Sequence, residues 1–231
     1  IIPVEFILKR CRIASALGFR ARLIVDKKEL DTNYTIFDLM KDESLSIYLD
    51  IPEIDCENSS HEKIKIALRY TSDTTDKYFG YTNMLDNSMG GTHITELSKA
   101  IISVWKDIID KNRNIKPEVE LKDKDFLLGL RGVCAVFISK PEFSSQTKEK
   151  LVNNKKYFEE LFDLFKKQFA KYLRQNLDKA NLLIKRFEEY RKAQNNLLNR
   201  KEISSLIKVN EDGDNENIRR RSVVSKLVEC T

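Results

Sequence analysis

The sequence predicts an α/β (α+β) protein: a small sheet backed by helices, with a long C-terminal helical extension. Three observations predict it. Lys63 to Tyr70 (KIKIALRY) alternates charged and apolar residues with the period of a half-buried strand, and Arg131 to Ser139 (RGVCAVFIS) is the continuous β-branched run of a strand buried on both faces. Residues 93–112 and most of 157–201 carry apolar residues at helical spacing. Only 7 Gly and 4 Pro occur in 231 residues, too few for a turn-dense all-β, collagen-like or linker-like chain.

Residues 3–17 read as a helix, with Phe6, Ile7, Ile13 and Leu17 at helical spacing, Pro3 near its first turn and Gly18 as its stop. Arg20 to Asp26 reads as a short strand ending at a polar turn, KKELDTN. Tyr34 to Met40 is a short helix, and Leu45 to Ile51 a strand stopped by Pro52. CENSSHE is a polar loop. Lys63 to Tyr70 and Lys77 to Leu85, joined by the turn Asp73 to Asp76, read as a β-hairpin. After the loop DNSMGG, Thr92 is placed to cap a helix over 93–112, whose apolar face holds Leu97, Ile101, Val104, Trp105, Ile108 and Ile109. Asp123 to Leu130 is a short helix that precedes the buried strand. From Tyr157 to Lys201, Phe158, Leu161, Phe162, Phe165 and Phe169 form one apolar face. Leu183, Phe187, Tyr190, Gln194 and Leu197 form another, with a break near Asn176 to Asp178. Residues 208–218 read as a flexible loop.

The chain is 41% hydrophobic and 33% charged, long enough for a sizeable core and too apolar for wholesale disorder. The formal net charge of +5 is uneven: residues 151–231 hold 18 Lys+Arg against 12 Asp+Glu, and the rest is near neutral. By charge alone this is a solvated helical face. Cys11, Cys56, Cys134 and Cys230 form no CxxC pair, which points to reduced thiols in a cytoplasmic protein. The two histidines, His61 and His93, lack zinc-ligand spacing. No apolar run approaches the ~18 residues of a membrane span. The chain opens Ile1-Ile2-Pro3, without Met or a signal-peptide n-region, as a piece cut from a larger protein would.

Three segments carry chemistry. Tyr81-Thr82-Asn83 ends a strand and is followed by Gly90-Gly91-Thr92-His93 opening a helix. LLGLRGVCAVFI, residues 127–138, runs from a helix end into the buried strand. Phe143 to Leu151 reads FSSQTKEKL. In this order and spacing the chain resembles the transducer domain in the B subunits of bacterial type IIA DNA topoisomerases, the gyrase B and topoisomerase IV B family. FSSQTKxKL is the most specific of the three. The resemblance implies a ribosomal-protein-like fold and a division into residues 1–27 (closing helix and strand of an ATP-binding domain), 28–201 (transducer) and 202–231 (linker toward a Toprim domain). It places Gln146 and Lys148 against the γ-phosphate of ATP, as catalytic and nucleotide-binding residues. Their types suit that role, since Lys is a compact charge for a terminal phosphate and the Gln amide donates to a phosphate oxygen or orients a water. Read without the resemblance, Lys148 and Lys150 are solvated residues at a helix start.

The resemblance further implies ATP and Mg bound mainly by a preceding domain. It implies coupling of ATP hydrolysis to DNA strand passage, partnership with the A subunit of the topoisomerase, and a homodimer of the B chain. Some of Lys166, Lys167, Lys171, Arg174, Lys185, Arg186, Arg191, Lys192, Arg200 and Lys201 would meet the DNA backbone without reading sequence. Arg219 to Arg221 read as linker. Gly90 and Gly91 permit a tight turn, and His93 reads as a hydrogen-bonded helix-start residue. No P-loop, GxGxxG, DxGxG, Toprim acidic motif or cleavage-tyrosine context occurs, so this chain alone is expected to neither hydrolyse ATP nor cut DNA. Two alternatives stand beside this reading: a MutL-like mismatch-repair ATPase domain, and a plain helical nucleic-acid-binding module.

Overall fold

The computed structural model describes residues 3–42, 44–112 and 115–211, with side chains as far as residue 198. Helix α1 (Val4–Ala16) follows Pro3, and only Ile13, Ala16 and the adjoining Leu17 on it are buried. Strands β1 (Leu23–Val25) and β2 (Lys28–Leu30) form a two-stranded antiparallel sheet. The segment read as a polar turn therefore contains a strand. The turn itself is only Asp26 and Lys27, both at positive φ, which is the geometry of a two-residue hairpin. A 3-10 turn at Ile36–Met40 is closed by Asp38, whose carboxylate accepts the Thr35 N–H at 2.7 Å.

The main sheet has five strands in the order β3 (Ile47–Glu57), β4 (Lys63–Thr71), β7 (Leu130–Phe137), β5 (Lys77–Thr82), β6 (Leu85–Asp86). All pairs are antiparallel except β5 with β7, which run parallel from Lys77↔Arg131 to Thr82↔Val136. Two expectations are corrected here. β3 does not stop at Pro52. It is an edge strand, and its register shifts between Ile51 and Ile54, where a missing N–H removes no ladder bond. β4 and β5 are not a hairpin either, because β7 lies between them. The turn at 73–76 reverses the chain but leaves the strands one place apart. Arg131 of β7 fills the gap, pairing with the Asp73 carboxylate at 2.5 Å and donating to the Thr75 carbonyl at 2.9 Å. A strand as apolar as β7 needs a neighbour on each side and a cover on each face.

Both covers are present. On one face, Ile13, Leu17, Ile36 and Met40 pack with Ala67, Tyr81, Val133 and Ala135. On the other lie α2 (Thr92–Lys111), α3 (Glu159–Gln175) and the first turns of α4 (Leu177–Glu211). Their core is aromatic. Trp105 sits 6.2 Å from Tyr70, 6.3 Å from Phe169 and 5.6 Å from Phe187, all edge-to-face. Trp105 Nε1 donates to the Tyr70 hydroxyl at 2.8 Å, and that hydroxyl donates to the Phe126 carbonyl at 2.9 Å. The segment expected as a helix at 123–130 is a 3-10 turn, Asp123–Leu127.

Among the described residues, those up to Phe187 form one compact unit and those from Glu188 a second. The division falls within α4 and inside the span 28–201 read as one domain. The helix continues to Glu211, beyond the Lys208 at which a loop was expected. The rest of that loop and Arg219 to Arg221 lie outside the described residues, as do the side chains of Arg200 and Lys201. No helix among the described residues is long and apolar enough to cross a membrane.

The hydrogen-bond chain through Tyr70 yields a stability prediction. Tyr70→Phe keeps the ring but leaves the Trp105 N–H and the Phe126 carbonyl buried without a partner. Urea unfolding should show a loss of about 2 kcal/mol.

Candidate functional site

β5 and β7 are parallel, so they end on the same edge of the sheet. The turn segment after β5 (83–91, which includes the two residues of β6) and the loop after β7 (138–152) leave that edge side by side. Three polar side chains fix the loop at its base. Asn83 donates to the Ile138 carbonyl at 2.8 Å and accepts the Ile138 N–H at 3.0 Å. Asn153, buried, accepts the Glu142 N–H and donates to the Lys140 carbonyl, both at 2.9 Å. Glu62 takes hydrogen bonds from the Ser139 hydroxyl at 3.1 Å and from the Tyr157 hydroxyl. Sequence reasoning assigns none of these a role. Only Asn83 lies within one of the three motifs.

Beyond its base the loop docks on the turn. Met89 N–H donates to Glu149 O at 3.0 Å, Leu151 N–H to Gly90 O at 3.2 Å, and Thr92 N–H to Leu151 O at 3.0 Å. Gly91, at φ 141°, is where the two backbones meet: a Cβ there would lie 2.3 Å from the Leu151 oxygen. The turn expected at Gly90-Gly91 is thus also a contact surface. Gly91, not Thr92, stands at the cap position of α2. The Thr92 N–H, one of the amides a helix start leaves unpaired, is satisfied by Leu151 instead.

Gln146 and Lys148 are both exposed near the loop tip. The tip is braced from within. Ser144 N–H donates to Lys150 O and Lys148 N–H to Ser145 O, both at 3.1 Å. The Ser145 and Thr147 hydroxyls are 2.7 Å apart, and the Thr147 hydroxyl donates to Glu149 Oε2 at 3.1 Å. The Lys148 ammonium lies 5.9 Å from the Phe143 ring centroid. Lys148 has φ +59°, a left-handed conformation that non-glycine residues seldom adopt. A cation and an amide thus stand two residues apart on one exposed, internally bonded loop, an arrangement that offers donors to an anion.

The basic candidates are dispersed. Lys166 pairs with Asp163 at 2.6 Å and Arg174 with Asp107 at 3.0 Å. Lys167, Lys171 and Lys185 are exposed on α3 and α4, and Arg191 and Lys192 lie on the part of α4 in the second unit. Arg186 is a correction to the expected basic face. Its guanidinium turns inward, donating to Asp73 O at 2.6 Å and Leu128 O at 3.3 Å, and it stacks 4.5 Å from the Tyr48 ring centroid. Charge patterning sees a residue's type and not its direction.

The family model for DNA gyrase B matches residues 24–203. The chain belongs to the DNA gyrase B family. The DNA gyrase B chain of Chitinophaga japonensis is 32% identical over 96 residues, covering 41% of this chain and 20% of that protein. In fold the chain matches the 43K ATPase domain of Thermus thermophilus gyrase B with a TM-score of 0.76 at 18% identity, covering 87% of this chain and 57% of that one. It matches the topoisomerase IV ATP-binding domain of Francisella tularensis with a TM-score of 0.63 at 21% identity, covering 84% and 55%. The chain thus spans about half the length of these solved neighbours and a smaller share of the curated relative. Membership of the gyrase B family and the five-stranded sheet leave no place for a plain helical module.

One residue of this gyrase B family chain departs from expectation in a way that can be measured. His93 is fully buried, and neither ring nitrogen finds a hydrogen-bond partner among the described residues. Its ring fills the space over Gly80, where a Cβ would lie 2.6 Å from Nε2. Burial holds the imidazole neutral and lowers its pKa to about 4. The unfolded chain protonates it near its ordinary value of about 6.5. Below that pH the unfolded state binds a proton that the folded state refuses, so stability falls until the pH reaches about 4. Between pH 7 and pH 5 the loss should be about 2 kcal/mol greater in the natural chain than in His93→Leu, measured by urea unfolding.

Proposed function

We propose that this chain is the transducer part of a type IIA topoisomerase B subunit. In this reading it touches the γ-phosphate of ATP through Lys148 and Gln146 and couples ATP hydrolysis to DNA strand passage. One observation carries the proposal. The loop that exposes both residues runs directly into the helices through a single short turn. Asn154, two residues beyond Val152, caps the 3-10 turn Lys155–Phe158 by accepting the Lys156 N–H, and α3 begins at Glu159. α4 follows after Asn176 alone. A displacement of the loop has no slack in which to dissipate before it reaches α3.

The chemistry follows from charge. The terminal phosphate is present in ATP and gone in ADP, so a loop that binds it distinguishes the two states. A lysine ammonium placed there stabilises charge that gathers on the transferred group, and a Gln amide adds a donor. The loop offers donors and a cation, which fits a phosphate. In this reading ATP and Mg would be bound mainly by the preceding domain. Phe6 and Ile7, exposed on α1, support reading residues 1–27 as the close of a preceding ATP-binding domain. The intact protein would be an ATP-hydrolysing isomerase of the cytoplasm. It would form a homodimer, work with the A subunit of the topoisomerase, and touch the DNA backbone through Lys167, Lys171, Lys185 and their neighbours.

Lys148→Ala in the full-length protein, assayed with its A-chain partner and DNA, should lower ATP turnover about 100-fold. ADP affinity should stay within about threefold, because ADP lacks the group that Lys148 meets. Turnover equal to that of the natural enzyme would remove Lys148 from the site.

A further inference from the structure

We infer that Asn87 is a positioning residue for Lys148, holding the lysine backbone in its left-handed conformation. A non-glycine residue at φ +59° costs free energy, so its surroundings must over-determine it. Inside the loop, the Lys148 N–H is held by Ser145 O at 3.1 Å. From outside, the Lys148 carbonyl accepts a hydrogen bond from Asn87 Nδ2 at 2.9 Å, across 61 residues of sequence. Asn87 is 2% exposed. Its Oδ1 accepts the Thr82 hydroxyl at 2.6 Å. Its N–H donates to Gly80 O and its carbonyl accepts the Gly90 N–H, both at 2.8 Å.

Both ends of the Asn87 amide and both of its backbone groups are therefore engaged, and the amide can sit only one way round. A carbonyl accepts and cannot donate, so the side-chain nitrogen must face Lys148 and the oxygen must face Thr82. Gly80 and Thr82 belong to β5, which pairs with β7. Asn87 thus ties the conformation of Lys148 to the sheet itself. The long, exposed side chain of Lys148 has many rotamers, and the point from which it starts is what the fold can fix. Asn87 bonds the Lys148 backbone and not its ammonium, so it acts through Lys148.

The inference rests on the reading of Lys148 as a γ-phosphate contact, and a double-mutant cycle tests the two separately. ATP turnover and ADP affinity are measured in the full-length protein with its A-chain partner and DNA. The variants are Asn87→Asp, Lys148→Ala and the two together. Aspartate keeps the shape and the bond from Thr82, loses the donor to Lys148, and sets an oxygen against its carbonyl. Asn87→Asp should lower kcat about 10-fold or more and leave ADP affinity within about twofold. It should have no further effect once Lys148 is alanine. Asn87→Ala serves the same cycle if the aspartate variant does not fold. An unimpaired Asn87 variant beside an impaired Lys148→Ala overturns the inference alone, as does a full additional loss in the double variant. A Lys148→Ala enzyme with natural turnover overturns the reading of the loop and the inference with it.

Discussion

The parallel pairing of β5 with β7 is the constraint on which the candidate site depends. Antiparallel neighbours would send their following loops to opposite edges of the sheet. Parallel neighbours send both to one edge. Here that places the turn 83–91 against the loop 138–152. The turn then opens α2, and the loop leads through a short 3-10 turn to α3. Two helices of the same face are thus reached from one docked pair of loops.

The pair is held by polar contacts where a loop is ordinarily mobile. Asn83 closes the exit of β7, Asn153 brackets Lys140 and Glu142, Glu62 joins Ser139 to Tyr157, and Gly91 lets the Leu151 backbone pass. The partners of these amides and this carboxylate lie on the loop 138–152 or, for Tyr157, just beyond it, and the buried Glu62 and Asn153 are satisfied as buried polar groups must be. The exposed tip is left with the only left-handed residue of the loop, Lys148. Beneath this edge, the aromatic cluster of Trp105, Tyr70, Phe126 and Phe187 makes the sheet and helices one packed body. Under the proposed function, a rigid base with one strained residue at its tip would register a single phosphate, because little of the contact energy would be lost in deforming the support.

Much of this is legible in the sequence where the signal is local. β7 and β4 are readable because burial repeats along a strand every one or two residues, and α2, α3 and the break before α4 because an apolar face repeats every three to four. The 3-10 turn at Ile36–Met40 is also legible, as a short helix. β1 and β2 are too short for alternation to be counted, so the sequence reveals only one of them. Pro52 looks like a terminator because sequence does not tell an edge strand from a central one. A β4–β5 hairpin follows from proximity along the chain, and proximity is a poor guide when a later strand is the better partner. Arg186 and His93 are each readable only by type, and each is oriented by its surroundings.

The sequence by itself determined most of the longer strands and helices, the family to which the chain belongs, and which loop carries Gln146 and Lys148. Those rest on local periodicity and on a short motif read in order. Only the tertiary structure decided that β7 separates β4 from β5, that Arg186 faces inward, that His93 is buried without a partner among the described residues, and that Asn83 and Asn87 grip the loop. Those last contacts join residues 55 and 61 positions apart. An amide whose partner lies at such a distance leaves no period and no composition in its own neighbourhood, because its role is set by the strand that arrives beside it.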